Sequence, residues 1–259
     1  MAAKYSKAPI SEVVCGIIFN KNLLLNDAVL FRLLVHLLKE FPMINTHPTI
    51  PDDEVVNGAI QTATEYSKAG FTTYRLYTED GKWQVLVQQN MVTVHWLRQD
   101  EENVGNYPGY NYIFAKFYDI YNFTKDLVND DLKFDENIKS YYLSYGDRIN
   151  LEPYKLEGNS VADLITLPPP SFELNKKQYT ANNYFNRYSI PCDEIDGYAI
   201  ISVNSPTIPG FGQILMVENK LKGTSKKFST VYEWFDTAHE IQISFFESIF
   251  KSEILEIWK

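Results

Sequence analysis

The chain has 259 residues, 45% of them hydrophobic and 22% charged, with a formal net charge of -9. That is long enough for one large domain or two small ones sharing a core. A pI near 5.0 argues against broad contact with nucleic acid or an anionic membrane, because both need clustered Lys and Arg to displace counterions.

Residues 1–7 are polar and lack the apolar centre of a signal peptide. No run approaches the roughly 18 apolar residues of a membrane span. A cytoplasmic protein with no membrane contact is therefore expected. Cys15 and Cys192 have neither disulfide-framework nor metal-ligand spacing, so both are expected reduced, with Cys15 a small core residue. Aromatic content of 15%, with 18 Tyr and 16 Phe, suits either a binding surface or a wide, shallow core.

Taken in order, the segment ISEVVCGIIF (Ile10–Phe19) reads as a buried strand rich in β-branched residues. Asn26 caps a following helix in which Val29, Leu30, Leu33, Leu34, Leu37, Leu38 and Phe41 keep helical spacing until Pro42. His36 falls off that stripe and is expected at the surface. Residues 43–70 are weakly patterned and read as a loop with a short helix.

The clearest signal lies in 82–127. A two-residue turn at Gln89 and Asn90 pairs Trp83 with Trp96, Gln84 with His95, Val85 with Val94, and Val87 with Val92. One face then carries Trp83, Val85, Val87, Val92, Val94 and Trp96, and a slip of one residue would turn all six outward. Asn90 is expected to adopt a left-handed conformation, and His95 to be solvated on the opposite face. Asp80 and Gly81 mark a second turn after a strand over 73–78, completing a meander. Pro108 signals a helix start, followed by Tyr110, Ile113, Phe114, Phe117, Ile120, Tyr121 and Leu127 as an apolar stripe suited to the tryptophan face.

Beyond it, 138–151 reads as one long strand bent at Gly146 and Asp147, and 161–167 as a short helix closed by Pro168, Pro169 and Pro170. Strands are expected over 178–190, 198–204 and 213–218. Thr230 with Glu233 forms a capping box for a long amphipathic helix through Trp234, Phe235, Ala238, Ile241, Phe245 and Ile249. The elements predict an α+β fold: antiparallel meander sheets with long amphipathic helices packed on one side. Two stretches, 8–135 and 136–259, share the order strand, helix, meander, long helix, with the early helix short or missing in the second, which predicts a duplicated unit within a single domain.

Several landmarks together resemble a family: Ala8-Pro9-Ile10-Ser11-Glu12 opening a strand, the meander ending at Trp96 and Arg98, Tyr107-Pro108-Gly109-Tyr110, Arg148-Ile149, Ala238-His239-Glu240, and a terminal Trp258. The chain resembles an uncharacterised, sporadically distributed prokaryotic protein family of about this length. The resemblance spans nearly the whole chain and departs from the pattern at Gly109, where an arginine is usual. It implies no assigned activity; the patchy distribution suits a mobile or phage-defence gene.

Catalytic motifs are missing. His36, His47, His95 and His239 have no ligand spacing, and no Gly-rich phosphate loop or nucleophile elbow occurs, so no metal, cofactor or catalytic residue is assigned. The leading reading is a non-enzymatic binding or regulatory module. Its candidate ligand-binding residues are Trp96, Arg98, Tyr107 and Tyr110: an indole, a guanidinium and two phenols able to hold an anionic or aromatic ligand or a partner peptide. The same residues also suit a plain core, with Arg98 paired to Asp100 or Glu101. A competing reading is a metal-dependent nuclease or hydrolase using Glu218 and Lys220, with Asp193, Glu194 or Asp196 as the second acid. A third is a structural subunit of a larger assembly, marked by an exposed apolar patch.

Overall fold

The fold is taken from a computed structural model, which describes residues 5, 7–20, 23–50, 53–56, 59–62, 72–99, 107–128, 133–150, 164–167, 171–174, 177–180, 185–208, 212–224 and 226–259. In chain order its elements are β1 (Ile10–Phe19), α1 (Asp27–Leu37), β2 (Met43–Pro48), β3 (Asp53–Val56), β4 (Ala59–Thr62), β5 (Thr72–Tyr77), β6 (Trp83–Gln88), β7 (Met91–Leu97) and α2 (Tyr110–Leu127). There follow β8 (Ile138–Asn150), β9 (Ser171–Leu174), β10 (Lys177–Thr180), β11 (Phe185–Cys192), β12 (Gly197–Asn204), β13 (Thr207–Ile208), β14 (Gly212–Gly223), α3 (Val231–Ile249) and α4 (Ser252–Trp258). The protein is α+β, dominated by one antiparallel sheet of ten strands in the order β11-β12-β14-β8-β1-β7-β6-β5-β2, with β13 on β14.

Alternation along the strands sets which side is dry. Val13, Cys15, Ile17 and Phe19 of β1 share a core cluster with Val85, Val87, Val92, Val94 and Trp96 of the β6–β7 hairpin, and with Ile113, Phe114 and Phe117 of α2 and Trp234 and Phe235 of α3. The hairpin register is Trp83 opposite Trp96, Val85 opposite Val94 and Val87 opposite Val92, as the alternation predicts. A second cluster joins Ile201, Val203, Leu215, Val217 and Ile149 to Phe250, Ile254 and Trp258 at the carboxyl-terminal end.

Local signals account for the ends of the helices. The Asn26 side chain accepts from the Val29 amide at 3.0 Å to begin α1. Thr230 accepts from the Glu233 amide at 3.2 Å, and the Glu233 carboxylate accepts from the Ser229 amide at 2.7 Å. The reciprocal bond of the capping box is thus displaced by one residue. Helix α2 begins at Tyr110, with Gly109 as its N-cap at φ 91°. Pro108 therefore stands outside the helix. The positive φ at position 109 favours glycine, and a Cβ there would meet nothing within 4 Å, so the preference is one of backbone alone.

Five expectations need correction. Within 43–70, β2 pairs with β5 and β3 with β4, where a loop and short helix are predicted. Strand β2 is exposed over most of its length at the sheet edge, so no burial period marks it. The strand predicted over 178–190 is two: β10 pairs with β9, and β11 with β12. Asn90 is absent from the positive-φ residues, which among the described non-glycines are Lys133 and Asp196. Its turn is held from outside, by the Phe19 amide on the Asn90 carbonyl at 2.8 Å and the Leu25 amide on the Gln89 carbonyl at 2.7 Å. His95 is not solvated; its side chain is 14% exposed and lies between Glu12 and Thr93. Of the predicted helix over 161–167, the described part is a turn whose Ile165 bridges to Phe250, and 161–163 lie outside the described residues.

Candidate functional site

Residues directly opposite in a ladder point to the same face, so the register of β14 on β8 identifies what faces the helices. Leu221 opposes Leu143, Asn219 opposes Tyr145, Val217 opposes Asp147, and Leu215 opposes Ile149. Along β8 the facing residues therefore run Leu143, Tyr145, Asp147, Ile149. Leu143 belongs to the first core cluster and Ile149 to the second. Between them lies a polar seam formed by Tyr145, Asp147 and Asn219.

Helix α3 covers this seam with His239 and Gln242. The Tyr145 hydroxyl lies 3.1 Å from the Tyr107 hydroxyl and 3.1 Å from His239 Nδ1. A chain in which Tyr107 donates to Tyr145 and Tyr145 to a neutral imidazole satisfies all three groups. Burial holds His239 down to about 4, in keeping with a neutral ring. The same burial raises the phenols of Tyr107, Tyr110 and Tyr145 well above their ordinary value. Tyr110 stacks on His239 with ring centroids 3.9 Å apart and planes 10° apart, and its hydroxyl donates to Asp236 at 3.4 Å. Gln242 Nε2 donates to the backbone carbonyls of Leu143 at 3.0 Å and Asn219 at 2.8 Å.

The structure brings three of the four sequence-derived residues into one aromatic layer. Trp96 meets Tyr107 edge to face at 5.5 Å, Tyr107 joins the hydroxyl chain, and Tyr110 covers His239. Trp96 and Tyr110 are buried there as walls, while Tyr107 and Arg98 are partly exposed. Arg98 stands beside this layer, donating through Nη2 to the Arg148 carbonyl at 3.2 Å. Asp100 and Glu101, the other partners considered for Arg98, lie outside the described residues.

Asp147 is 6% exposed and Asn219 5% exposed, yet Asp147 Oδ1 and both polar atoms of the Asn219 side chain lack a hydrogen-bond partner. A buried polar atom left without a partner costs about 1–3 kcal/mol. Burial pushes the Asp147 carboxyl up to about 7, against the lowering influence of the Arg98 guanidinium. Tyr145, Asp147, Asn219, His239 and Gln242 were all missed by motif reading. A carboxylate within a long, otherwise largely uncharged strand and a histidine within an amphipathic helix were the available signals.

Glu218 and Lys220 face the other way. Glu218 accepts from Ser144 at 3.2 Å and lies 3.6 Å from Lys220. Asp193 and Glu194 sit in a 3-10 turn, and Asp196 adjoins the end of the ladder where Gly197 opposes Gly223. Glu218 opposes Ser202, five residues along, or roughly 16 Å at strand rise, so these acids do not converge with it. Among the described residues no three His, Cys, Asp or Glu side chains gather as a metal set. The same face carries an unforeseen chain, in which His95 Nδ1 lies 2.8 Å from Glu12 and Nε2 2.8 Å from the buried Thr93 hydroxyl. Burial raises the Glu12 carboxyl, but the bond and charge of His95 outweigh it and leave a net lowering.

No protein-family model matches the chain, and no curated protein matches it. Among solved structures, the di-domain ARO/CYC protein BexL from the BE-7585A biosynthetic pathway aligns at 11% identity over 91% of this chain and 93% of its own, with a TM-score of 0.26. Among the described residues, no helix is long and apolar enough to cross a membrane.

Proposed function

We propose that the protein is a non-enzymatic binding module whose site lies where Trp96, Arg98, Tyr107 and Tyr110 meet the polar seam of β8 and β14. The observation that carries this reading is the set of buried, unpartnered atoms on Asp147 and Asn219 beside a guanidinium and a phenol that remain partly exposed. Folding alone would favour apolar residues at such positions, because replacing unpaired buried polar groups by well-packed apolar ones is neutral or stabilising. Retaining them makes sense if something else completes their hydrogen bonds.

The proposal includes a duplicated architecture and a cytoplasmic setting. Strands β8-β14-β12-β11 run outward from the central antiparallel β1–β8 pair in the same order as β1-β7-β6-β5 on the other side, which supports repeats over 8–135 and 136–259. The seam then belongs to the junction of the halves, receiving Arg98 and Tyr107 from one and Tyr145, Asp147 and His239 from the other. Membership of the sporadically distributed prokaryotic family, and a role in defence, belong to the same proposal on the landmark residues alone.

The test is a thermal-shift screen of anionic and aromatic metabolites followed by titration of any ligand into the Arg98→Ala protein. Binding should weaken about tenfold or more, with the unfolding midpoint nearly unchanged, since an arginine at a strand end contributes mainly charge and a stacking plane. Equal affinity for Arg98→Ala and the parent rejects the site.

A second reading, a structural subunit, draws on the outer side of α1. Phe31 is 68% exposed and Val35 47%, and Leu38 continues the same stripe. Sedimentation of the parent against Phe31→Asp tests it: an assembly that dissociates in the variant supports the subunit reading, and a monomeric parent rejects it for this chain by itself.

A further inference from the structure

We infer that the terminal strand β2 and the adjacent flank of α1 form a groove that takes an extended peptide of another protein, added to the sheet as one more strand. The inference is independent of the seam. It uses the α1 stripe of the subunit reading but requires no assembly of this chain.

The row of helices leaves one end of the sheet uncovered. Helix α3 packs on β8 and β14, α2 on β7 and β1, and α1 beside α2. Leu30, Leu33 and Leu37 of α1 enter the core cluster that holds Leu76 of β5 and Val85 and Val87 of β6, so α1 lies on the same face, toward the β5–β2 end. His36 turns toward α2, stacking on Phe123 with ring centroids 3.6 Å apart. On a helix of about 3.6 residues per turn, Phe31, Val35 and Leu38 stand roughly 100–160° round the axis from His36 and so face the free end of the sheet. They are 68%, 47% and 38% exposed. Ile44 of β2 opposes the buried Leu76 and shares its face, yet is 42% exposed. The result is a shelf with Ile44 and Thr46 as its floor and the α1 stripe as its wall.

The outer edge of that floor is suited to pairing. Strand β2 ends the strand order, is exposed over most of its length, and has no Asp, Glu, Lys or Arg in MINTHP. Sheet edges that stay unpaired carry charge or proline within the strand, as Arg187 and Pro191 do in β11 at the other end. An extended segment laid along β2 exchanges backbone N–H and C=O bonds with it, and every second side chain falls on the shelf against Phe31, Val35 and Leu38. Those side chains are apolar, to match the wall. Charge selects what flanks them: no acidic residue occurs over 28–39, while Arg32 and Lys39 follow the stripe round the helix and are exposed. In a chain of net charge -9 this local basic rim favours acidic residues at the ends of the segment and disfavours a cationic one. A second copy of β2 brings no acidic residue to that rim, since Met43–Pro48 contains none.

The experiment titrates the full chain into a fluorescein-labelled peptide, Glu-Val-Thr-Val-Thr-Val-Glu, reading anisotropy, with hydrogen exchange of the complex to locate it. Binding is expected, with slowed exchange over 43–48. N-methylation of the valines in one peptide and of the threonines in another tests strand addition: only alternate N–H groups face an edge, so one pattern abolishes binding and the other leaves it. Val35→Asp should weaken binding at least about tenfold with the unfolding midpoint unchanged, because Val35 is exposed in the free chain. A lysine-ended peptide should bind more weakly than the glutamate-ended one. The inference is overturned if the peptide does not bind, if Val35→Asp binds it as tightly as the parent, if both N-methylated peptides bind equally, or if protection falls outside 43–48. A parent that dimerises through 43–48 and is not separated by the peptide identifies a second copy as the occupant and overturns it too. A monomeric parent that binds the peptide at 43–48 rejects the subunit reading and upholds this one. An assembly dissociated by Phe31→Asp, with no peptide binding, does the reverse.

Discussion

The Tyr145 hydroxyl and His239 Nδ1 meet at 3.1 Å across the interface between the central sheet and α3, joining a strand-borne phenol to a helix-borne imidazole. Tyr107 extends the same chain from the approach to α2. Removing the Tyr145 hydroxyl breaks both contacts. Tyr145→Phe should therefore cost about 1–2 kcal/mol in urea denaturation, and Tyr107→Phe less, because that change deletes one bond at a partly exposed residue. Equal losses for the two variants would mean that the His239 contact contributes nothing.

The two titrating groups of the seam have opposite effects on stability. His239 titrates near 4 in the fold and about 6.5 in the unfolded chain, so its contribution is present above about pH 6.5 and lost as pH falls toward 4. Asp147 titrates near 7 in the fold and near 3.9 unfolded, so its contribution is present below about pH 4 and lost as pH rises through 7. The parent should accordingly show a shallow pH dependence between these limits. Asp147→Asn should lose stability on acidification across that window, while His239→Gln should gain it. Urea denaturation at intervals from about pH 4.5 to 7.5 checks this; parallel profiles for parent and both variants would contradict it.

Gly16 leaves room for a ring on the sheet face away from the main core. A Cβ at that position would fall 2.4 Å from Cε1 and 2.6 Å from Cζ of Tyr142, and 3.0 Å from Thr93 Cγ2. Gly16→Ala should destabilise by about 1–3 kcal/mol through overpacking. In the background of Tyr142→Ala the penalty should largely vanish, and a double-mutant cycle by chemical denaturation reads the coupling. Additive effects would place the strain elsewhere.

The hairpin offers a direct test of the core. Val85 and Val94 are opposed and both fully buried. Truncating either to alanine should cost about 2–3 kcal/mol, the lost transfer energy of two methyl-sized groups plus a cavity. The double variant should cost less than the sum, because the two cavities merge. Losses under about 0.5 kcal/mol would be surface behaviour and would contradict the packing.

The sequence alone determined the elements whose signal is local. The alternation of β6 and β7 specifies their register because a one-residue slip would expose six apolar side chains, and the caps at Asn26 and Thr230 bond within one helical turn. The exposed β2 was illegible because an edge strand with little burial has no hydrophobic period to read. Trp96, Tyr107 and Tyr110 were legible as an aromatic group, but their role as walls of a seam was not. That seam exists because β14 pairs with β8 and α3 lies over both, contacts between segments far apart in the chain that no local pattern encodes. Tertiary structure alone decided that Asp147 and Asn219 would share one buried face with atoms unpaired, since burial of a polar group is set by what packs above it and not by its neighbours in sequence.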